Sequence, residues 1–128
     1  MEFVFSPEQE VFRERVRTFI KDNWTPPPRT ARPGDNVTNE AEREYDTRLA
    51  NNGWLTMAWP KEYGGLAASH MEQLIFREES GYAGAPGGGG QGISMVGPCL
   101  MVHGSDSQKR EHLPKIASGE VHCGQGFS

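Results

Sequence analysis

Glu78 and Glu79 are adjacent carboxylates, the raw material of general acid–base catalysis. On a helix, successive residues point about 100° apart, so they do not face each other. One is expected to cap or pair with a neighbour and the other to be solvated. Gly87-Gly88-Gly89-Gly90 has the composition of a phosphate loop, but no Gly-x-x-x-x-Gly-Lys-Ser/Thr occurs and no strand precedes it. A flexible joint or a close helix approach is the better reading. His70, His103, His112 and His122 are scattered, and none stands at metal-ligand spacing from Cys, Asp or Glu. Cys123 has no readable base beside it and reads as a buried or half-buried thiol. Ser128 sits in no Gly-x-Ser-x-Gly elbow, which argues against a serine hydrolase. Trp54, Trp59 and Tyr63 have the faces to stack a flat ligand, although such a cluster equally anchors a loop to a core.

The elements that must position these residues are helices. Ser6-Pro7-Glu8-Gln9 starts one, with Ser6 as cap, Pro7 in the first turn and Gln9 completing a capping box. Val11, Phe12, Val16, Phe19 and Ile20 then form an apolar stripe, and the helix is predicted to end near Asn23. Residues 25–37 are rich in proline and read as a loop. Asn39 with Glu42 predicts a second helix to Asn52, with Ala41, Tyr45 and Leu49 on one face and Gly53 beyond its end. Trp54 to Gly65 is broken by Pro60 and Gly64-Gly65 and reads as a tight, packed loop. Ser69 with Glu72 opens a third helix that should stop by Gly81 or Gly84. Ile93 to Val102 reads as a buried helix with Pro98 inside or kinking it. Ser105 with Gln108 opens a short polar helix that Pro114 interrupts, with Leu113, Ile116 and Ala117 making its apolar contacts. Val121 to Ser128 looks extended. The expected fold class is all-α, an orthogonal bundle of about five to six helices with long loops that ends in an extended segment.

Length and composition bound what such a bundle can be. The chain has 128 residues, of which 35% are apolar, with 16 glycines and 9 prolines; its mean hydropathy is -0.65. That suits one lean domain that leans on others. A formal charge of -4 argues against a nucleic-acid partner, which normally meets a basic face. No apolar stretch is long enough to span a membrane, and Met1-Glu2-Phe3-Val4-Phe5 has no basic lead of a signal peptide. Cys99 and Cys123 are too few for a disulfide framework, so a cytoplasmic location with reduced thiols is the default. On these grounds alone the chain is a helical domain without a complete catalytic set, which is to say a binding or interaction module.

Three stretches alter that reading. They are Gly53-Trp54-Leu55 through Trp59-Pro60-Lys61-Glu62-Tyr63-Gly64-Gly65; His103-Gly104-Ser105-Asp106-Ser107-Gln108-Lys109 continuing through Leu113-Pro114-Lys115-Ile116-Ala117-Ser118-Gly119-Glu120; and Gly124-Gln125-Gly126-Phe127-Ser128. In this order and spacing, and with the opening Phe5-Ser6-Pro7-Glu8-Gln9, the chain resembles the N-terminal domain of the acyl-CoA dehydrogenases over its whole length.

The resemblance implies a three-part FAD enzyme: this helical domain (residues 1–120), a middle β domain whose start falls at 121–128, and a C-terminal helical bundle. Family enzymes oxidise an acyl-CoA thioester to the 2-enoyl product. Their glutamate base lies in the C-terminal bundle, so no catalytic residue is expected on this chain. The resemblance places Gln125, Phe127 and Ser128 along the flavin, where the family's strand continues with Glu-Pro. It places Gly90, Gln91, Ser94 and Met95 at the substrate, in a segment that lines the acyl pocket. The glycines from Gly87 to Gly92 either leave room for a branched or ring-bearing acyl group or form a loop beside the pocket. The chain alone is expected to be inactive and to bind FAD weakly or not at all. The implied partners are the acyl-CoA, the middle and C-terminal domains, an electron-transferring flavoprotein, and further subunits of a homo- or hetero-oligomer. A non-catalytic interaction module and a supporting subunit remain the alternatives.

Overall fold

The computed structural model describes residues 4–88 and 90–127. Five α-helices run in the order α1 (Pro7–Asn23), α2 (Asn36–Asn51), α3 (His70–Ala83), α4 (Gly97–His103) and α5 (Asp106–Ala117). A short 3-10 turn (Lys61–Tyr63) and a π-helical turn (Gly92–Val96) stand between them, and no strand occurs among the described residues. The all-α class therefore holds. The chain divides into two compact units, Met1–Ala41 with Ser69–Gly87, and Glu42–Ala68 with Gly88–Ser128.

The first unit is built on α1 and α3, which pack together. Both begin with the predicted capping box: Ser6 Oγ accepts from the Gln9 N–H while Gln9 Oε1 accepts from the Ser6 N–H, and Ser69 and Glu72 do the same. Gly84 ends α3 in the left-handed conformation, where a glycine carries no Cβ penalty. Val16, Ile20, Ile75 and Phe76 are buried. So is Glu79, which is 5% exposed. Its two oxygens accept from Arg13 Nη1 at 2.9 Å and Arg17 Nε at 2.8 Å. Glu78 is not solvated alone as expected. It reaches Arg13 Nη2 at 3.2 Å, and the Arg13 guanidinium stacks over Phe5 at 4.2 Å. The carboxylate pair is therefore a structural anchor between helices. The hydrogen bond that Arg17 donates to Glu79 is the main reason that its guanidinium is held well above its ordinary range.

The predicted α2 starts three residues late. Asn39 is inside the helix, its N–H donating to the Asp35 carbonyl, while Asp35 Oδ2 accepts from the Arg32 N–H. The tight turn at 32–35 supplies the start that Asn39 with Glu42 was expected to supply.

The second unit has a different cement. Tyr45 and Leu49 of α2 are buried as expected, and burial together with the Asp46 carboxylate pushes the Tyr45 phenol up to about 12. Gly53 follows at φ 74. Trp54, Leu55, Thr56, Met57 and Trp59 are all buried, as a packed loop requires. Trp59, Leu113 and Ile116 centre the core, with Tyr63, Ile93, Val96 and Leu100 against them. Pro114 does not interrupt α5, which runs unbroken to Ala117. The carbonyl that the proline leaves without a donor is that of Arg110, an exposed residue that water can reach.

Candidate functional site

The stretch from Gly90 to His103 is where sequence and structure part most. It is not a plain buried helix. Gly92 to Val96 form a π turn, closed by the Gly97 N–H donating to the Gly92 carbonyl, and α4 follows with Pro98 in its first turn. Pro98 explains the arrangement. It has no N–H, so in a π register the Ile93 carbonyl five residues earlier lacks its donor. Trp59 supplies one, its indole Nε1–H donating to the Ile93 carbonyl at 2.9 Å. Gly97 is needed at the same place, because a Cβ there would overlap the Trp59 ring. The sequence offers Trp59 as a ligand-stacking ring or a loop anchor, and neither reading includes this hydrogen bond. The usable signal was Gly97-Pro98, a residue without a side chain beside one without a donor.

Trp59 backs one side of this stretch and leaves another open. Met95 is 49% exposed and Val102 is 72% exposed, with Cys99 exposed between them. Three of the four expected substrate residues face outward at least in part. Gly90 opens the stretch with φ +50, a backbone requirement that glycine meets whatever room it leaves. Ser94 is exposed and its hydroxyl donates to the Gly90 carbonyl at 2.9 Å. Gln91 is half-buried, and its Oε1 is shielded without a donor.

The extended segment after α5 lies beside this helix. Val121 N–H donates to the Lys115 carbonyl at 3.2 Å. A Cβ at Gly92 would meet Cys123 Sγ at 3.3 Å, so the segment and the π turn are nearly in contact there. Gln125 Nε2 then reaches Met95 Sδ at 3.8 Å. One expected flavin residue and one expected substrate residue are thus brought together. Phe127 is 91% exposed. Ser128, the third expected flavin residue, lies outside the described residues. Residues 122–127 make no backbone hydrogen bond among the described residues. An aromatic face next to unused backbone donors fits the edge of an isoalloxazine ring. Among the described residues no group of His, Cys, Asp and Glu is arranged to hold a metal.

Residues 6–120 match the family model described as acyl-CoA dehydrogenase, N-terminal domain. The chain belongs to the acyl-CoA dehydrogenase family. It is 39% identical over 131 residues to the acyl-CoA dehydrogenase FadE26 of Mycobacterium tuberculosis, a match that takes in 100% of this chain and 32% of that protein. Among solved structures it is similar to the ChsE4-ChsE5 complex from Mycobacterium tuberculosis, with TM-score 0.79 and 38% identity over 95% of this chain and 30% of that one. It is also similar to the Tcur3481-Tcur3483 steroid ACAD, with TM-score 0.72 and 30% identity over 95% of this chain and 32% of that one. The chain therefore spans about a third of the length of the acyl-CoA dehydrogenases it matches. No helix among the described residues is long and apolar enough to cross a membrane.

Proposed function

We propose that this chain forms the N-terminal third of a flavin-dependent acyl-CoA dehydrogenase, where Gly90 to His103 make one wall of the acyl pocket and residues 121–128 begin the middle β domain at the flavin edge. The observation that carries this reading is the Gln125–Met95 contact, which sets the flavin-side segment against the substrate-side helix. The chemistry FAD supplies when bound is acceptance of the hydride that leaves the acyl β carbon, while a glutamate base outside this chain takes the α proton. This chain's own part is binding and orientation. Met95 offers a polarisable apolar contact to the acyl group. Gln125, Phe127 and Ser128 are the residues of this chain that would hold the flavin, with Phe127 offering an exposed aromatic ring. Electrons leave to an electron-transferring flavoprotein.

A bulky, ring-bearing acyl group is the substrate class we favour, because a similar structure at 30% identity is that of a steroid ACAD. The likeness to the ChsE4-ChsE5 complex supports a hetero-oligomeric full enzyme. A cytoplasmic setting goes with the same reading, since neither cysteine is in a disulfide.

The test is a flavin titration. The full-length protein should bind FAD, and its yellow colour should bleach on anaerobic addition of a ring-bearing acyl-CoA. The 128-residue chain alone should bind FAD weakly or not at all and turn nothing over. No bleaching of the full-length protein by any acyl-CoA, or tight stoichiometric FAD binding by the chain alone, defeats the proposal.

A further inference from the structure

Gly92 opens the π turn and is buried. Its φ does not lie in the left-handed region, so the backbone there does not call for glycine. Glycine is also a poor helix former. The reason for it lies in what a side chain would meet. A Cβ on Gly92 would come within 3.3 Å of Cys123 Sγ and 3.7 Å of Cys123 Cβ, and also within 3.3 Å of Ile116 Cγ2. Contacts that tight oblige a neighbour to give by a few tenths of an ångström. The two neighbours differ in how freely they can. Ile116 is 3% exposed and centres the core with Trp59 and Leu113. Cys123 is half-buried on the extended segment. That segment is tied by the Val121 N–H to the Lys115 carbonyl, and residues 122–127 add no backbone hydrogen bond among the described residues. Cys123 is therefore the side that yields. In an extended chain, residues two apart point the same way. The face that seats Cys123 against Gly92 thus also carries Gln125 to Met95 Sδ at 3.8 Å.

We propose that Gly92 and Cys123 are a positioning pair, a notch and a thiol that set how closely the flavin-side segment approaches the substrate-side helix. This rests on the acyl-CoA dehydrogenase reading above and assigns the spacing within that same site. A side chain at position 92 moves Cys123 outward, and Gln125 and the residues after it go with Cys123, while Met95 stays with its helix. Neither member of the pair has to touch the acyl group or the flavin to have this effect. Reacting groups misplaced by about 1 Å can lose on the order of a hundredfold in rate. A shift of a few tenths of an ångström is therefore large enough to be read in turnover.

The experiment uses the full-length enzyme. Gly92→Ala should lower kcat about fivefold, with a smaller change in KM. Combining Gly92→Ala with Cys123→Ala should recover most of the loss, because the second substitution empties the space that the first one fills. A further measurement needs neither flavin nor turnover. In the flavin-free protein, Cys123 should react with a thiol reagent faster in Gly92→Ala than in the wild type. Mass spectrometry reads each cysteine separately, with the exposed Cys99 as the internal standard. An unchanged kcat overturns the proposal. So does a lowered kcat with unchanged Cys123 labelling, or without recovery in the double variant, since either places the loss elsewhere. If Gly92→Ala does not fold, Cys123→Val loads the notch from the other side with Gly92 intact. It should give the same fall in kcat, and full kcat in that variant overturns the proposal. Wild-type turnover that these variants leave unmoved sinks this inference alone. Absence of wild-type turnover on every acyl-CoA sinks the dehydrogenase reading and this one with it.

Discussion

The two units solve the problem of joining helices in opposite ways. Between α1 and α3 the join is electrostatic: a nearly buried carboxylate, Glu79, held by two guanidiniums from the facing helix. In the second unit the join is steric and aromatic. Trp59 fills the space left by the absent side chain of Gly97 and donates to a carbonyl that Pro98 leaves without a donor. A buried ion pair depends on the charge of its partner and on the hydrogen bonds between them. A ring seated against a glycine depends on the volume left for it. The residues expected at substrate and flavin all belong to the second unit. The wall of the proposed pocket is therefore set by shape, where a single methylene changes the geometry.

Four variants test that contrast. Trp59→Ala removes a large buried ring and the donor to Ile93 together, and should lower the unfolding free energy by about 4 kcal/mol in a urea titration. Trp59→Phe keeps most of the volume. It should recover much of that loss, but not the part due to the unpaired Ile93 carbonyl. Equal losses in the two variants would show that the hydrogen bond, not the shape, holds the π turn. Glu79→Ala takes the buried carboxylate from Arg13 and Arg17 and leaves the nearly buried Arg13 cation with the half-exposed Glu78 alone, and should cost about 3 kcal/mol. Pairing Arg13→Met with Glu79→Leu should restore most of it, which no pairing of apolar substitutions at Trp59 and Gly97 is expected to match. If the double variant is as unstable as Glu79→Ala, the first unit depends on shape as much as the second.

The smallest effect is confined to alkaline pH. An unfolded tyrosine ionises near 10, whereas the buried Tyr45 phenol keeps its proton to about 12. Below pH 10 both states hold the proton and the contribution is fully present. Between pH 10 and 12 the unfolded state alone releases it, so stability falls as pH rises. Tyr45→Phe should remove up to roughly 2 kcal/mol of that fall, read as a flatter urea midpoint across the window.

Much of the scaffold was legible because it is written locally. Ser6 with Gln9, Ser69 with Glu72, and Ser105 with Gln108 each formed the capping box that their spacing predicts. Gly53 and Gly84 ended helices for the reason that glycine usually does. What escaped depended on partners far away in sequence. Glu79 is 66 residues from Arg13, and Trp59 is 34 from Ile93. Periodicity within a segment carries no trace of either. Pro114 misled for another reason: a proline in the last turn removes a single hydrogen bond, and an exposed carbonyl tolerates that. At the candidate site, the resemblance placed Met95 and Gln125 in different roles, substrate and flavin. Their contact needed the path of the chain after Gly119, which turns at φ 75 before running back beside the π turn.

That π turn also bears on how this protein should be compared with its relatives. Five residues there do the work of four, so every side chain after Val96 is rotated by about 100° from where an uninterrupted helix would put it. A relative one residue shorter between Gly92 and Val96 that ran there as a plain helix would keep every later side chain in the direction it has here, because the π turn absorbs the extra residue. A relative of equal length without the π turn would instead turn a different set of side chains to each face, so in this stretch a gap of one position in an alignment can preserve the lining while an ungapped alignment changes it.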